Sequence, residues 1–208
     1  MPDYELIASK GCGSAMIEMA LELAGLPHRV TLIPYLEPGP GRERLLSLNP
    51  LGQVPTLVLP DGTVMTESAA MVLHIHDAAP HARLAPRQDD PARAAFLNLL
   101  VVLVGALYPT FTFGDDPKQF GLDENGVSVL RAQTDARRMR IWQLVESLIS
   151  PAPHVLGRSM SGLDLYVAVM TRWRPGRDWF ATHCPKLLSA AEAAESNPVV
   201  AGVIARNS

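Results

Sequence analysis

The feature that most constrains this chain is an uncharged, mainly apolar stretch from Ala94 to Phe113. About 20 apolar residues is the length that spans a bilayer, so a membrane helix has to be considered. The stretch contains Asn98, Gly105 and Pro109, and basic residues are not concentrated at its ends. A helix that is apolar on all sides also suits the centre of a helical domain or a subunit interface. We therefore expect a buried core helix and no membrane partner.

Composition supports a soluble globular protein. The chain has 208 residues, 48% of them hydrophobic, with 18 Lys and Arg against 21 Asp and Glu. This balance argues against intrinsic disorder and against a nucleic acid partner. The two cysteines, Cys12 and Cys184, are too few for a disulfide framework, and the segment after Met1 has no secretory pattern. We expect a cytoplasmic protein.

The first part of the chain predicts an α/β domain. Tyr4–Ala8 reads as a strand, Ser14 can cap a helix that stops at Gly25, and Arg29–Ile33 reads as a second strand. A β-α-β order favours a parallel pair with a right-handed crossover. The remaining elements predicted here are a short helix at Arg42–Leu48, a hairpin of Thr56–Leu59 with Thr63–Met65, and a helix from Glu67 to about Asp77.

The second part of the chain predicts only helices. Residues 79–91 are rich in proline and charge, which is typical of a linker. We therefore predict an α/β domain over 1–78, a linker over 79–91 and an all-α domain over 92–208. The candidate helices are Ala92–Leu107, Asp123–Ile149, Ser161–Trp173, Lys186–Ser196 and a short one from Val199 onward.

Four motifs in order carry a resemblance over the whole length. They are Asn49–Leu57 (NPLGQVPTL), Glu67–Ile75 (ESAAMVLHI), Gly157–Asp164 (GRSMSGLD), and the pair HCPKL at 183–187 with NPVV at 197–200. This set resembles the glutathione transferase family. The resemblance implies a thioredoxin-like N-terminal domain, an all-helical C-terminal domain, glutathione as co-substrate without a metal, and a homodimer.

The resemblance also implies a glutathione site. In the family the proline matching Pro55 is cis, and the residue before it, here Val54 after Gln53, offers backbone N–H and C=O groups to the cysteinyl part of glutathione. Glu67 and Ser68 open a helix, whose free N–H groups and positive dipole end can hold an anion. In the family the serine takes the γ-glutamyl carboxylate, and the acidic residue approaches the amino group. The alternative is that Glu67 and Ser68 only cap the helix.

The catalytic group would lie in the loop after the first strand. A transferase of this kind must stabilise a thiolate, and the loop offers Ser9, Cys12 and Ser14. The positions at which serine-type and cysteine-type members carry their residue fall on Gly11 and Gly13, with Cys12 between them. If Cys12 is exposed at the helix N-terminus, its pKa is lowered and thiol–disulfide exchange follows. If Ser9 or Ser14 donates to the glutathione sulfur, the reaction is conjugation, isomerisation or dehalogenation.

The function that the resemblance implies is a transferase in which the glutathione thiolate attacks a small apolar electrophile. The alternatives are a disulfide reductase that uses Cys12 and a non-catalytic or regulatory glutathione-binding protein. Tyr108, Phe111 and Phe113 suit an apolar second-substrate wall, and they suit core or dimer contacts equally well. The i, i+2 spacing of His74 and His76 puts them on different sides of a helix, so no metal site is expected there.

Local packing roles are predicted for three further residues. Ser161 and Asp164 have the spacing of a helix capping box. Cys184 precedes a proline and has no second cysteine near it in the sequence, so we expect it to pack in the interior.

Overall fold

The computed structural model describes residues 3–207. The predicted domain ranges also include Met1, Pro2 and Ser208, which lie outside the described residues. The prediction about the segment after Met1 therefore falls partly outside them.

A four-stranded mixed sheet forms the centre of the N-terminal part. Its strands are β1 (Tyr4–Ala8), β2 (His28–Leu32), β3 (Thr56–Val58) and β4 (Val64–Met65), in the spatial order β2-β1-β3-β4. Strand β1 runs parallel to β2 and antiparallel to β3, and β3 and β4 form the predicted hairpin. Together with the helices of this part, the sheet has the predicted thioredoxin-like arrangement.

Ten α-helices are present in the described chain. They are α1 (Ser14–Leu23), α2 (Pro40–Leu48), α3 (Ser68–Ala78), α4 (Arg93–Val101), α5 (Tyr108–Asp115), α6 (Glu124–Leu148), α7 (Gly162–Met170), α8 (Arg177–His183), α9 (Pro185–Glu195) and α10 (Pro198–Asn207). Helix α5 lies largely within the apolar stretch that was predicted to form a core helix, whereas α8 was not predicted. Helix α8 is only seven residues long and follows Gly176, so it has too few turns to show a hydrophobic period.

Helix α1 begins one residue differently from the prediction. Gly13 occupies the N-cap position and Ser14 is the first helical residue, so Ser14 does not cap the helix. The helix ends as expected, because Ala24 is its C-cap and Gly25 adopts a left-handed conformation with φ 63°. Helix α1 is almost fully buried, and its apolar residues form one contiguous core with those of α7.

The apolar stretch forms one continuous helical run, Arg93–Asp115. Helices α4 and α5 are joined by a π-helical segment, Val102–Leu107. By length and composition this run could cross a membrane, and 39% of its most apolar window is buried. One side packs in the core through residues such as Phe96, Leu103 and Phe111, whereas Val101 and Phe113 are exposed. The run is therefore buried on one side and not all round.

Two predictions about local contacts are confirmed. Ser161 and Asp164 form a reciprocal capping box at the start of α7, and the Asp164 carboxylate also accepts from the Val155 N–H at 2.9 Å. Cys184 is fully buried.

The predicted linker is packed against the helical part. Leu84 is buried, and its carbonyl accepts from the Gly162 N–H at 2.7 Å. The domain boundaries themselves stay a prediction.

Candidate functional site

The turn before β3 is held by a buried polar network. The Asn49 side chain is almost fully buried, and its Nδ2 donates to the Gln53 carbonyl at 3.1 Å and to Thr56 Oγ1 at 3.2 Å. Thr56 Oγ1 donates to the same Gln53 carbonyl at 2.9 Å. These contacts fix the main chain on the N-terminal side of Val54, and the Val54–Pro55 peptide bond is cis, as the resemblance implies.

The fixed turn presents an unused stretch of backbone. Val54 is half-buried, Gln53 is exposed and Pro55 is buried. Within residues 3–207, neither the N–H nor the C=O of Val54 has a hydrogen-bond partner. Backbone groups held rigidly without a partner can bind an extended peptide by strand-like hydrogen bonds.

The start of helix α3 forms a second polar feature. Glu67 is the N-cap residue and is exposed, and Ser68 is the first helical residue. The first N–H groups of a helix have no partner within it, so they can bind an anion together with the helix dipole. The Glu67 side chain does not cap the helix.

A residue from the helical part reaches this second feature. The Tyr166 hydroxyl, on α7, donates to Ser68 Oγ at 2.7 Å. Burial raises the pKa of Tyr166 above its ordinary value, and the nearby Glu67 charge adds to that rise. Tyr166 therefore remains a hydrogen-bond donor at neutral pH. The sequence pattern gave no signal for Tyr166, because every residue of α7 is buried and the helix has no polar face.

The loop between β1 and α1 places the three candidate catalytic residues differently. Ser14 is fully buried, and its hydroxyl accepts from the Ser9 N–H at 3.2 Å and donates to the Ser9 carbonyl at 3.0 Å. The Ser14 proton is thus already used, which does not support Ser14 as a donor to a ligand sulfur. Ser9 and Cys12 are half-buried. The loop is also tied to the end of α10, because the Gly11 N–H donates to the Asn207 carbonyl at 2.9 Å.

The environment of Cys12 corrects the expected lowering of its pKa. Burial raises the pKa of the Cys12 thiol above its ordinary value, and the negative charge of Asp115 adds to the rise. Hydrogen bonds with Ser9 and Tyr35 oppose it in part. Burial also raises the pKa of Tyr35, to about 12. Cys12 is therefore a protonated thiol at neutral pH, and Tyr35 is a neighbour that the sequence pattern did not reveal.

The predicted apolar wall is divided by the structure. Tyr108 and Phe111 pack edge-to-face against Trp173, with ring centroids 5.7 and 5.0 Å away. Phe113 is instead 46% exposed and packs against Phe120. Tyr108 and Phe111 thus lie together, with ring centroids 6.4 Å apart, whereas Phe113 makes its ring contact with Phe120.

The two histidines of α3 are in different surroundings. His74 Nε2 lies 3.4 Å from the Tyr4 hydroxyl, and His76 is buried. The described residues contain no group of three or more His, Cys, Asp or Glu side chains placed to hold a metal ion.

Comparison with known proteins agrees with these features. The family model for the N-terminal domain of glutathione S-transferases matches residues 14–78. The GST-like protein YncG of Escherichia coli K12 is 35% identical over 198 residues, which cover 95% of each chain.

Solved structures share the whole fold. A glutathione transferase homolog from Sulfitobacter, crystallised with bound glutathione, is 26% identical, covers 99% of each chain and gives a TM-score of 0.86. A sphingomonad glutathione S-transferase complexed with glutathione is 23% identical and gives a TM-score of 0.79, and the match covers 98% of each chain. At this identity the similarity shows the fold alone. The chain has a thioredoxin-like sheet, a helical second part and a GST-like relative that is 35% identical over 95% of its length. It therefore belongs to the glutathione S-transferase family.

Proposed function

We propose that this protein is a glutathione transferase that binds glutathione along Val54 and the start of α3. The single observation that carries the proposal is the unpartnered Val54 backbone, which the Asn49–Thr56 network holds in place. Strand-like pairing with the cysteinyl residue of glutathione would use both the N–H and the C=O. Ser68 and the free N–H groups of α3 would take the γ-glutamyl carboxylate, and Glu67 the amino group.

The proposed reaction is attack by sulfur on a small apolar electrophile. The thiol S–H bond breaks, its proton passes to water, and the sulfur keeps the electron pair. That pair forms the new S–C bond as the leaving group departs with the electrons of its own bond. Tyr108 and Phe111 would form one wall for the electrophile, which supports an apolar substrate.

A disulfide reductase that uses Cys12 is the second candidate. Its support is the position of Cys12 one residue before the N-cap of α1, where a thiolate would gain from the helix dipole. Its raised pKa argues against this candidate, because only the thiolate attacks a disulfide. A non-catalytic glutathione-binding protein would keep the binding groups and lack both activities.

One experiment separates these candidates. Calorimetry of the purified protein with glutathione, and with cysteinylglycine as the control that lacks the γ-glutamyl group, tests binding. Assays with halonitroarene, epoxide and glutathione mixed-disulfide substrates then test turnover. We expect binding that needs the γ-glutamyl group, conjugation of at least one electrophile and negligible disulfide exchange. Absence of glutathione binding would overturn the proposal, and binding without turnover would favour the non-catalytic protein.

We also propose a cytoplasmic homodimer. The exposed apolar residues of the Arg93–Asp115 run, Val101 and Phe113, support an interface on that side, since solvent exposure of large apolar groups is unfavourable.

A further inference from the structure

We infer that the Tyr108 hydroxyl takes the place of a side chain at residue 13 and donates a hydrogen bond to the glutathione sulfur. This inference rests on the proposed function, because it assigns the group that contacts the thiolate. The hydroxyl comes from α5, in the helical part of the chain, whereas residue 13 is the N-cap of α1.

Gly13 is a glycine because of space and not because of its backbone. Its φ of −65° and ψ of −8° are right-handed helical values, which any residue adopts. A Cβ atom built on Gly13 would lie 2.0 Å from the Tyr108 hydroxyl oxygen. The phenol therefore occupies the volume in which a side chain of residue 13 would begin.

The hydroxyl is held in a donor state. The phenol oxygen lies against the Gly13 backbone at the start of α1, and the Gly13 backbone partly opposes the rise in the phenol pKa. Within residues 3–207 the Tyr108 proton has no acceptor, so it is available to a ligand. Burial raises the pKa of Tyr108 far above its ordinary value, and the nearby Cys12, Tyr166 and Tyr35 add to the rise. The phenol thus donates a proton in a hydrogen bond and does not act as a base.

The surrounding helix holds the ring at this point. The π-helical segment Val102–Leu107 ends immediately before Tyr108, and such segments often occur at functional sites. The Tyr108 ring packs against Trp173 and Phe111, which restricts its movement. A fixed donor is what stabilises a developing or resting anion most effectively.

The test compares Tyr108→Phe with Tyr4→Phe. Tyr4→Phe is a matched control, because within residues 3–207 the Tyr4 hydroxyl has a hydrogen bond only with His74. Both variants are made in a Cys12→Ser background. Cys184 is buried, so the ultraviolet absorbance of the thiolate then reports bound glutathione. We expect Tyr108→Phe to raise the pKa of the bound thiol by about one and to lower kcat for conjugation about tenfold, as loss of a hydrogen bond to a charged group predicts. Glutathione affinity, measured by calorimetry, should change little, and Tyr4→Phe should match the background.

A second variant keeps the inference testable if Tyr108→Phe fails to fold. Gly13→Ala retains Tyr108 but places a methyl group where its hydroxyl lies, so it should raise the thiol pKa in the same way. In the Tyr108→Phe/Gly13→Ala double variant, the alanine should lower the free energy of unfolding less than it does alone, because the hydroxyl that its methyl group would meet is gone. An unchanged thiol pKa and kcat in Tyr108→Phe, with glutathione still bound and turned over, would overturn this inference alone. Failure of the unmutated protein to bind glutathione would overturn the proposed function and this inference with it.

Discussion

The Tyr166 hydroxyl donates a 2.7 Å hydrogen bond to Ser68 Oγ, joining the helical part of the chain to the first residue of α3. Because Tyr166 supplies its proton to the Ser68 oxygen, the Ser68 proton is free to point toward a ligand. The contact therefore orients one of the groups proposed to bind the γ-glutamyl carboxylate.

Replacing Ser68 should weaken glutathione binding. We expect Ser68→Ala to cost roughly 1.5–3 kcal/mol of binding free energy, the range for a hydrogen bond to a charged group. Calorimetry measures it. Because this substitution also leaves the buried Tyr166 hydroxyl without its acceptor, the Ser68→Ala/Tyr166→Phe double variant serves as control. The double variant should regain stability without regaining affinity, and unchanged affinity in folded Ser68→Ala would remove Ser68 from the site.

Cys12 should react slowly at neutral pH. Its raised pKa means that the thiolate forms only as the pH rises above the ordinary range for a free thiol, about 8.5. Alkylation with iodoacetamide, followed by mass spectrometry over a pH series, measures this. Cys184 should react more slowly still, because burial and Glu146 raise its pKa to about 12.

The Cys12→Ser variant separates the two chemistries. We expect it to abolish any disulfide exchange and to leave conjugation and glutathione affinity close to unchanged, since Val54 and Ser68 would hold the tripeptide. Ser9→Ala tests the remaining hydroxyl of this loop. Rapid alkylation of Cys12 near neutral pH, together with loss of conjugation in Cys12→Ser, would contradict a mechanism in which a hydroxyl group, and not Cys12, contacts the glutathione sulfur.

Arg138 should be a major determinant of stability. Its side chain is 1% exposed, donates to the Thr110 carbonyl at 2.6 Å and to Asp135 at 2.6 Å, and lies 3.8 Å over the Phe111 ring. Arg138→Leu removes the donor to the buried Thr110 carbonyl, whereas Asp135 is 36% exposed and keeps Arg174 at 3.6 Å. We therefore expect a loss of about 1–3 kcal/mol in the free energy of unfolding.

Urea denaturation measures that loss. Arg140→Leu, an exposed arginine on the same helix that makes no ion pair within the described residues, is the matched control and should behave like the unmutated protein. Equal stability of the two variants would show that the Arg138 contacts contribute no net stability.

Glu5 should make stability depend on acid pH. Hydrogen bonds from Arg44, and also from Arg29 and Thr31, lower the pKa of this carboxyl from 4.5 to about 2 against the opposing effect of burial. A lowered folded-state pKa gives stability that is present above pH 4.5 and is lost as the pH falls toward 2.

The magnitude should be roughly 2–3 kcal/mol, since both arginine partners are partly solvent-screened. Thermal unfolding over this acid range measures it, and Glu5→Gln should flatten the slope. An equally steep slope in Glu5→Gln would assign the effect to other carboxylates.

The oligomeric state tests the long apolar run. We expect the purified protein to be soluble without detergent and to sediment as a dimer in analytical ultracentrifugation. Partition of the native chain into the membrane fraction would contradict the prediction of a core helix.

Local sequence determined much of the fold of the N-terminal part and of the groups proposed to bind glutathione. The β-α-β pattern, the turn before Pro55, the start of α3 at Ser68 and the Ser161–Asp164 box all depend on residues close together in the chain. Such features follow from propensity, periodicity and capping, which act over a few residues.

Only the tertiary structure decided which hydroxyls reach the site. The Ser14 hydroxyl is used by the backbone of Ser9, whereas Tyr108 reaches Gly13 and Tyr166 reaches Ser68 from distant helices. The raised pKa of Cys12 likewise depends on its burial in the folded chain and on the charge of Asp115, which is distant in the sequence. The Tyr108 and Tyr166 contacts join residues that are far apart in the chain. Packing of the two parts brings these residues together, and no local sequence pattern encodes that packing.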